Sequence, residues 1–193
     1  MRVIIVGAGE VGLQLARYLS AEDIEVIVID KNREKLNRIS AELDAAVIVG
    51  EGGPPSVLKK AGAENADILL AVTNMDETNM IACLVAKAMF QIPRNVARIR
   101  NMEYFSNDVL LQSLGINPAI SPEIEAAKAV IRLVEVPFAA EADDFEGGKV
   151  KIIGFKIPPD SKLIGTAFKN LKLNKPKILF GAIRRGTTMI KPG

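Results

Sequence analysis

The opening dozen residues limit most strongly how this chain can fold. An apolar run, Val3-Ile4-Ile5-Val6, passes without a break into Gly7-Ala8-Gly9-Glu10-Val11-Gly12, and a helical pattern follows. A strand that turns through glycines at this spacing into a helix reads as the phosphate-binding turn of a dinucleotide fold. Gly7 permits the tight turn, Gly9 lets backbone amides approach a pyrophosphate, and Gly12 lets helix and strand pack closely. Ala8, Glu10 and Val11 fill the remaining positions of the turn. A second strand, Glu25 to Ile29, ends in Asp30, where a carboxylate accepts hydrogen bonds from an adenosine ribose and repels a 2′-phosphate. The pattern favours NAD or another adenine nucleotide over NADP, with Lys31 next to the ribose position and Arg33 near enough to soften the exclusion. The competing reading is a glycine turn retained only for folding.

Strand-like and helical runs then alternate. Strands are expected at Val3–Val6, Val26–Ile29, Ala45–Val49, Ile68–Val72, Val96–Ile99 and Pro118–Ile120, and helices at Val11–Leu19, Arg33–Leu43, Pro55–Ala61, Glu77–Phe90 and Glu103–Leu114. Six such repeats predict an α/β fold, a Rossmann-like doubly wound six-stranded parallel sheet. Ser121-Pro122-Glu123 then starts a further helix, Ile124–Val136, with Ser as N-cap and Pro in the first turn. Its apolar residues form two stripes: Ile124, Ala127, Ile131 and Val134, then Ala126, Val130 and Leu133. Two stripes imply two packing partners, the second being either another subunit or a second domain of the same chain.

Pro137 breaks this helix, and the acidic segment 139–148 reads as a linker. From Lys149 a small α+β unit is expected: a strand from Val150 through Ile157, a turn at Pro158–Ser161, a short helix around Thr166–Leu171 and a strand near Ile178–Ile183. So few strands make a sheet that is incomplete within this chain. The expected division is therefore 1–136 for the nucleotide-binding domain with its extra helix, 137–148 for the linker and 149–193 for a partial C-terminal subdomain.

Of 193 residues 25 are basic and 23 acidic, and their interspersion leaves no nucleic-acid footprint and no membrane-surface patch. Cys83 is alone and lies in an apolar stretch, so it reads as a small buried hydrophobe. No run approaches the roughly 18 apolar residues of a membrane span, and the first residues read as core strand rather than leader. A soluble, cytoplasmic protein is expected.

Candidate ligand residues fall at the carboxyl ends of the predicted strands, where open α/β sheets bind ligands. Thr73 and Asn74 end the fourth strand, and Asp76 is placed to cap the next helix. Arg98 and Arg100 end the fifth with the same side-chain parity, and their guanidinium forks suit a polyphosphate; surface ion pairing is the alternative. A dehydrogenase is the competing function. The chain has no histidine, however, and neither Tyr18 nor Tyr104 has a lysine at Tyr-x-x-x-Lys spacing. Few residues remain to close a hydride-transfer site, and a redox-sensing transcriptional regulator would need a DNA-binding module that is not apparent.

The segments MRVIIVGAGEVG (Met1–Gly12), ADILLAVTNMDETN (Ala66–Asn79), ARIRN (Ala97–Asn101), ISPE (Ile120–Glu123) and GGKVKI (Gly147–Ile152), in this order, resemble the RCK or KTN family, the regulators of K+ conductance that include the TrkA-type potassium-uptake proteins. The resemblance spans the whole chain, as a single RCK unit. It implies a cytosolic regulatory subunit, no enzyme, that binds NAD(H) or ATP/ADP, assembles as a homodimer or higher ring, and gates a Trk-type membrane potassium transporter. It places Arg98 and Arg100 near nucleotide phosphates and aligns Glu123 with carboxylates that approach a bound cation in some relatives. A carboxylate in a first helical turn is also stabilised by the helix dipole. After the third strand relatives tend to carry an acidic-small-Thr/Ser sequence, where this chain has Gly50-Glu51-Gly52-Gly53-Pro54, so adenine-side contacts through Gly50 and Glu51 are expected to differ.

Overall fold

Val3, Ile4, Ile5 and Val6 are each 0–1% exposed, so both faces of their strand are covered. Burial on both faces is the property of a parallel strand with helices above and below it. A computed structural model of the protein describes residues 1–135, 141–145, 149–167 and 179–191. They fall into two compact units that divide between Ala129 and Val130.

The first unit contains β1 (Arg2–Val6), α1 (Glu10–Ser20), β2 (Glu25–Asp30), α2 (Arg33–Glu42), β3 (Ala46–Val49), α3 (Pro55–Lys60), β4 (Ile68–Ala71), α4 (Asp76–Phe90), β5 (Arg94–Arg98), α5 (Met102–Phe105), α6 (Asp108–Ser113), β6 (Ala119–Ile120) and the start of α7 (Pro122–Glu135). All six strands are parallel, in the order β3-β2-β1-β4-β5-β6. This is the doubly wound Rossmann order, and its switch point lies between β1 and β4. Strand parity divides the core. Val3, Ile5, Val26 and Val28 pack with Leu13, Ala16, Leu36 and Ile39 of α1 and α2. Ile4, Val6, Ile27, Ile29 and Leu69 pack with Leu58, Ala82, Cys83 and Ala86 of α3 and α4 on the other face. Burial pushes the Cys83 thiol up to about 12, which leaves it a neutral core group.

One expected helix divides in two. Between α5 and α6 the chain leaves the helix at Ser106, and Asn107 accepts from the Leu110 amide to start α6, so 103–114 is two short helices joined by an N-cap. Ser121 takes the N-terminal position expected of it: the Glu125 amide donates to its carbonyl at 3.0 Å and the Ile124 amide approaches its Oγ at 3.5 Å. On α7, Ile124 is half-buried while Ala126, Ala127, Val130 and Ile131 are exposed.

The second unit holds β7 (Glu141–Phe145), antiparallel to β8 (Val150–Gly154), and β9 (Ile183–Arg185), antiparallel to β10 (Thr188–Ile190). Two expectations change here. The acidic stretch read as linker contains β7, because pairing with β8 draws a polar segment into a ladder that its own composition does not favour. The strand expected near Ile178–Ile183 lies at Ile183–Arg185 and is followed by a further one, β10, across the two-residue turn Gly186-Thr187, with Gly186 at φ +59°. The helix expected around Thr166–Leu171 falls largely outside the described residues.

Candidate functional site

The carboxyl ends of β2, β1, β4 and β5 are consecutive along one edge of the sheet. Three strand spacings separate β2 from β5, roughly 14 Å, so one elongated ligand can touch both.

At β1 the glycines have different tasks. Gly7 has φ +111°, and a Cβ there would lie 3.0 Å from the Thr73 amide nitrogen; at Gly12 it would lie 1.8 Å from the Gly7 carbonyl oxygen. The fold itself demands both. Gly9 has φ −76° and ψ −173°, open to any residue, and a Cβ there would meet no atom within 4 Å. It precedes α1 and offers the first-turn amides no side-chain cap, whereas Asn32, Asn101 and Asn107 cap α2, α5 and α6. Those N–H groups are the positive end of an eleven-residue helix. A cleft of about 250 Å³ opens beside Gly9 and Glu10, toward Lys35, Arg38 and Ile39 of α2.

Asp30, at the end of β2, is held firmly. Its Oδ2 accepts from the Ala8 amide at 2.6 Å and its Oδ1 from the Asn32 amide at 2.8 Å. Each carboxylate oxygen can accept more than one hydrogen bond, so capacity for ribose hydroxyls remains. Lys31 is exposed next to it. The Gly50 amide donates to the Asp30 carbonyl at 3.0 Å, which brings the start of the β3–α3 loop to the same edge, while Glu51 is exposed.

The ends of β4 and β5 are joined by a residue that sequence reasoning missed. Asn79, fully buried on α4, accepts at Oδ1 from the Thr73 amide (2.9 Å) and hydroxyl (2.7 Å), and its Nδ2 donates to the carbonyls of Arg98 (2.8 Å) and Thr73 (3.2 Å). Its signal was a polar residue in the stripe Ala82, Cys83 and Ala86. Thr73 is therefore committed inward, and Asn74 is exposed. Asp76 does not cap α4 as expected. It is the first helical residue, and its Oδ2 accepts from the amides of Arg100 (2.9 Å) and Asn101 (2.7 Å), pinning the segment after β5.

Arg98 and Arg100 converge as their parity predicted, on a carboxylate. Glu123 Oε1 lies 3.2 Å from Arg98 Nη2 and 3.6 Å from Arg100 Nε. A hydrogen bond from its own backbone amide, then the charges of Arg98 and Arg100, hold the Glu123 carboxyl below the usual glutamate value. Two cationic groups thus face Glu123, and among the described residues no group of three or more His, Cys, Asp or Glu side chains could hold a metal ion.

The TrkA-N domain model matches residues 3–122. The chain is 37% identical over 180 residues, 92% of its length, to the Trk system potassium uptake protein TrkA of Halomonas elongata, of which it spans 39%. Among solved structures it resembles the TrkA-N domain of the Escherichia coli inner membrane protein ybaL (TM-score 0.63, 21% identity, 69% of this chain and 96% of that one). It also resembles a GsuK channel solved bound to NAD (TM-score 0.54, 20% identity, 63% of this chain and 21% of that one). Among the described residues no helix is long and apolar enough to cross a membrane.

Proposed function

Because this chain belongs to the TrkA-N domain family, we propose that it is the nucleotide-binding part of a regulator of potassium uptake, cytoplasmic and peripheral to the membrane through a Trk-type transporter partner. An adenine nucleotide, NAD(H) or ATP/ADP, occupies the crevice from Asp30 to Arg98 and biases a conformation that the transporter reads. Gly9 carries this reading. Gly7 and Gly12 are glycines for the protein's sake, but nothing among the described residues requires one at residue 9, so the space it leaves is for a ligand against the α1 amides.

The role is regulatory rather than catalytic. The crevice holds groups that bind and orient, and the chain has no histidine to move a proton. Exposed Val130 and Ile131 on α7 fit assembly as a homodimer or larger ring.

Calorimetric titration with NADH, NAD, ATP and ADP tests the proposal. At least one should bind, and Gly9→Ala should weaken it by about tenfold or more while changing stability by less than about 0.5 kcal/mol. Asp30→Ala should weaken every adenosine ligand. A chain that binds none of the four, or a Gly9→Ala variant that binds like the parent, would remove the reading.

A further inference from the structure

The near balance of charge over the whole chain, which spoke against a membrane-surface patch, is the sum of two unlike parts. Of residues 149–193, eleven are lysine or arginine and one, Asp160, is acidic, whereas residues 1–148 hold 14 basic and 22 acidic residues. Charge separated in this way along a chain points to an anionic partner for the basic part. We propose that the basic segment after β7 adsorbs directly to the anionic headgroups of a lipid bilayer, in a contact that needs neither nucleotide nor transporter.

The two units use their cations differently. In the first, Arg2, Arg17, Arg38, Lys59 and Arg98 each lie within 3.2 Å of a glutamate carboxylate. In the second, Lys156, Lys162, Arg185 and Lys191 are exposed, and among the described residues none of them is paired with a carboxylate. The acidic run of this unit belongs to β7, whose register sets Asp144 opposite Lys151 of β8; downstream of β8 only Asp160 is acidic. Like charges without internal partners repel one another, and an anionic surface relieves that repulsion.

The neighbours of these cations select a bilayer over a nucleic acid. Lys156 lies between Phe155 and Ile157, Lys162 precedes Leu163 and Ile164, and Lys191 follows Ile190. Those five apolar residues are 50%, 42%, 37%, 58% and 37% exposed. A polynucleotide would meet the ammonium groups through its phosphates and leave the apolar neighbours in water. A headgroup layer takes both, since the ammonium groups stay among the phosphates while apolar side chains enter the boundary of the acyl region. Nine of the eleven cations are lysine, a point charge on a flexible stem, which suits a diffuse layer of anionic headgroups. Residues 1–148, with their excess of carboxylates, gain nothing from such a surface.

The test sediments the full chain with vesicles of phosphatidylcholine and phosphatidylglycerol in equal parts, and with vesicles of phosphatidylcholine alone, in the absence of nucleotide and transporter. The chain should bind the anionic vesicles about tenfold or more tightly than the neutral ones, and molar salt should release it. Replacing Lys156, Lys162 and Lys191 together by Gln should weaken that binding by about tenfold or more, since each lysine near an anionic bilayer strengthens it roughly fivefold. Replacing Lys59, Lys60 and Arg94 of the first unit by Gln removes equal charge and should change binding by less than about twofold. Equal binding to both kinds of vesicle, or equal losses in the two variants, overturns the proposal. Tighter binding to duplex DNA than to anionic vesicles at the same ionic strength overturns it in favour of a polynucleotide. Failure to bind any vesicle overturns it as well, and a fall in the mass of the chain on Ile164→Asp would then identify a second copy as the cover of this unit. None of these outcomes bears on the nucleotide titration, so the proposed function stands or falls separately.

Discussion

The same residue types meet opposite fates in the two units. In β1, Val3, Ile4, Ile5 and Val6 are at most 1% exposed; in β8, Val150, Ile152 and Ile153 are 54%, 59% and 42% exposed. Both strands are rich in β-branched residues and both are paired. What differs is cover. β1 lies between two neighbours in a six-stranded sheet with helices on each face, while β8 has one partner, β7, in a two-stranded sheet. Ile152 and Ile153 point to opposite faces of β8, so neither face is covered within the described part of the second unit. A hairpin alone seldom stabilises itself, because it orders its backbone without burying much apolar area. Stability should therefore be concentrated in the first unit, and the second should respond weakly to the same substitutions.

The most direct way to break this contrast is a matched pair of truncations. Leu69→Ala, at a fully buried position of β4, should cost about 2–5 kcal/mol, and Ile152→Ala less than about 0.5 kcal/mol, both read from urea unfolding of the full chain. Equal costs would mean that β8 is covered after all. Asn79→Ala sharpens the comparison within the first unit. It removes no large apolar group but strands the part-buried Thr73 amide and the Arg98 carbonyl, so a loss of about 1–3 kcal/mol is expected in the same measurement. A cost near zero would mean that water replaces the side chain.

The smallest effect is acidic. Hydrogen bonds from Arg2 and from Arg38 lower the carboxyls of Glu25 and Glu42 below the usual value, and that of Glu123 is lowered as described. A carboxyl lower in the folded than in the unfolded chain contributes stability that is complete above the unfolded value and is lost as pH falls through the folded one. Unfolding midpoints of the first unit should therefore drop modestly from neutral pH into the acid range, and Glu25→Gln should flatten part of that slope. These groups are solvent-exposed, so molar salt should mute the effect.

Much of the first unit was legible because its signals are local. Continuous apolar runs gave the strands, glycine spacing gave the turn, and the ending of β2 in Asp30 located a carboxylate that the structure sets against the Ala8 amide. Parity alone brought Arg98 and Arg100 together. What escaped depends on partners distant in sequence. Asn79 is one polar letter in a helical stripe, and only the meeting of β4 and β5 gives its amide four contacts. Asp76 looked like a cap because capping is the local use of such a residue; the amides it accepts belong to Arg100 and Asn101, 24 and 25 residues away. Glu123 was read for what it would attract rather than for the arginines already facing it. β7 was lost for the same reason, since Glu-Ala-Asp-Asp-Phe becomes a strand only beside β8.

The three glycines of the first turn are subject to different kinds of selection. On the proposed reading, a lineage in which this domain ceased to bind a nucleotide would still be held to glycine at residues 7 and 12 by its own backbone, since a side chain there collides with Thr73 or with the Gly7 carbonyl. Residue 9 would be released to drift. Across descendants, the letter at that position would record whether the crevice still meets a ligand, and would do so long after the surrounding sheet had ceased to distinguish a working sensor from a relic.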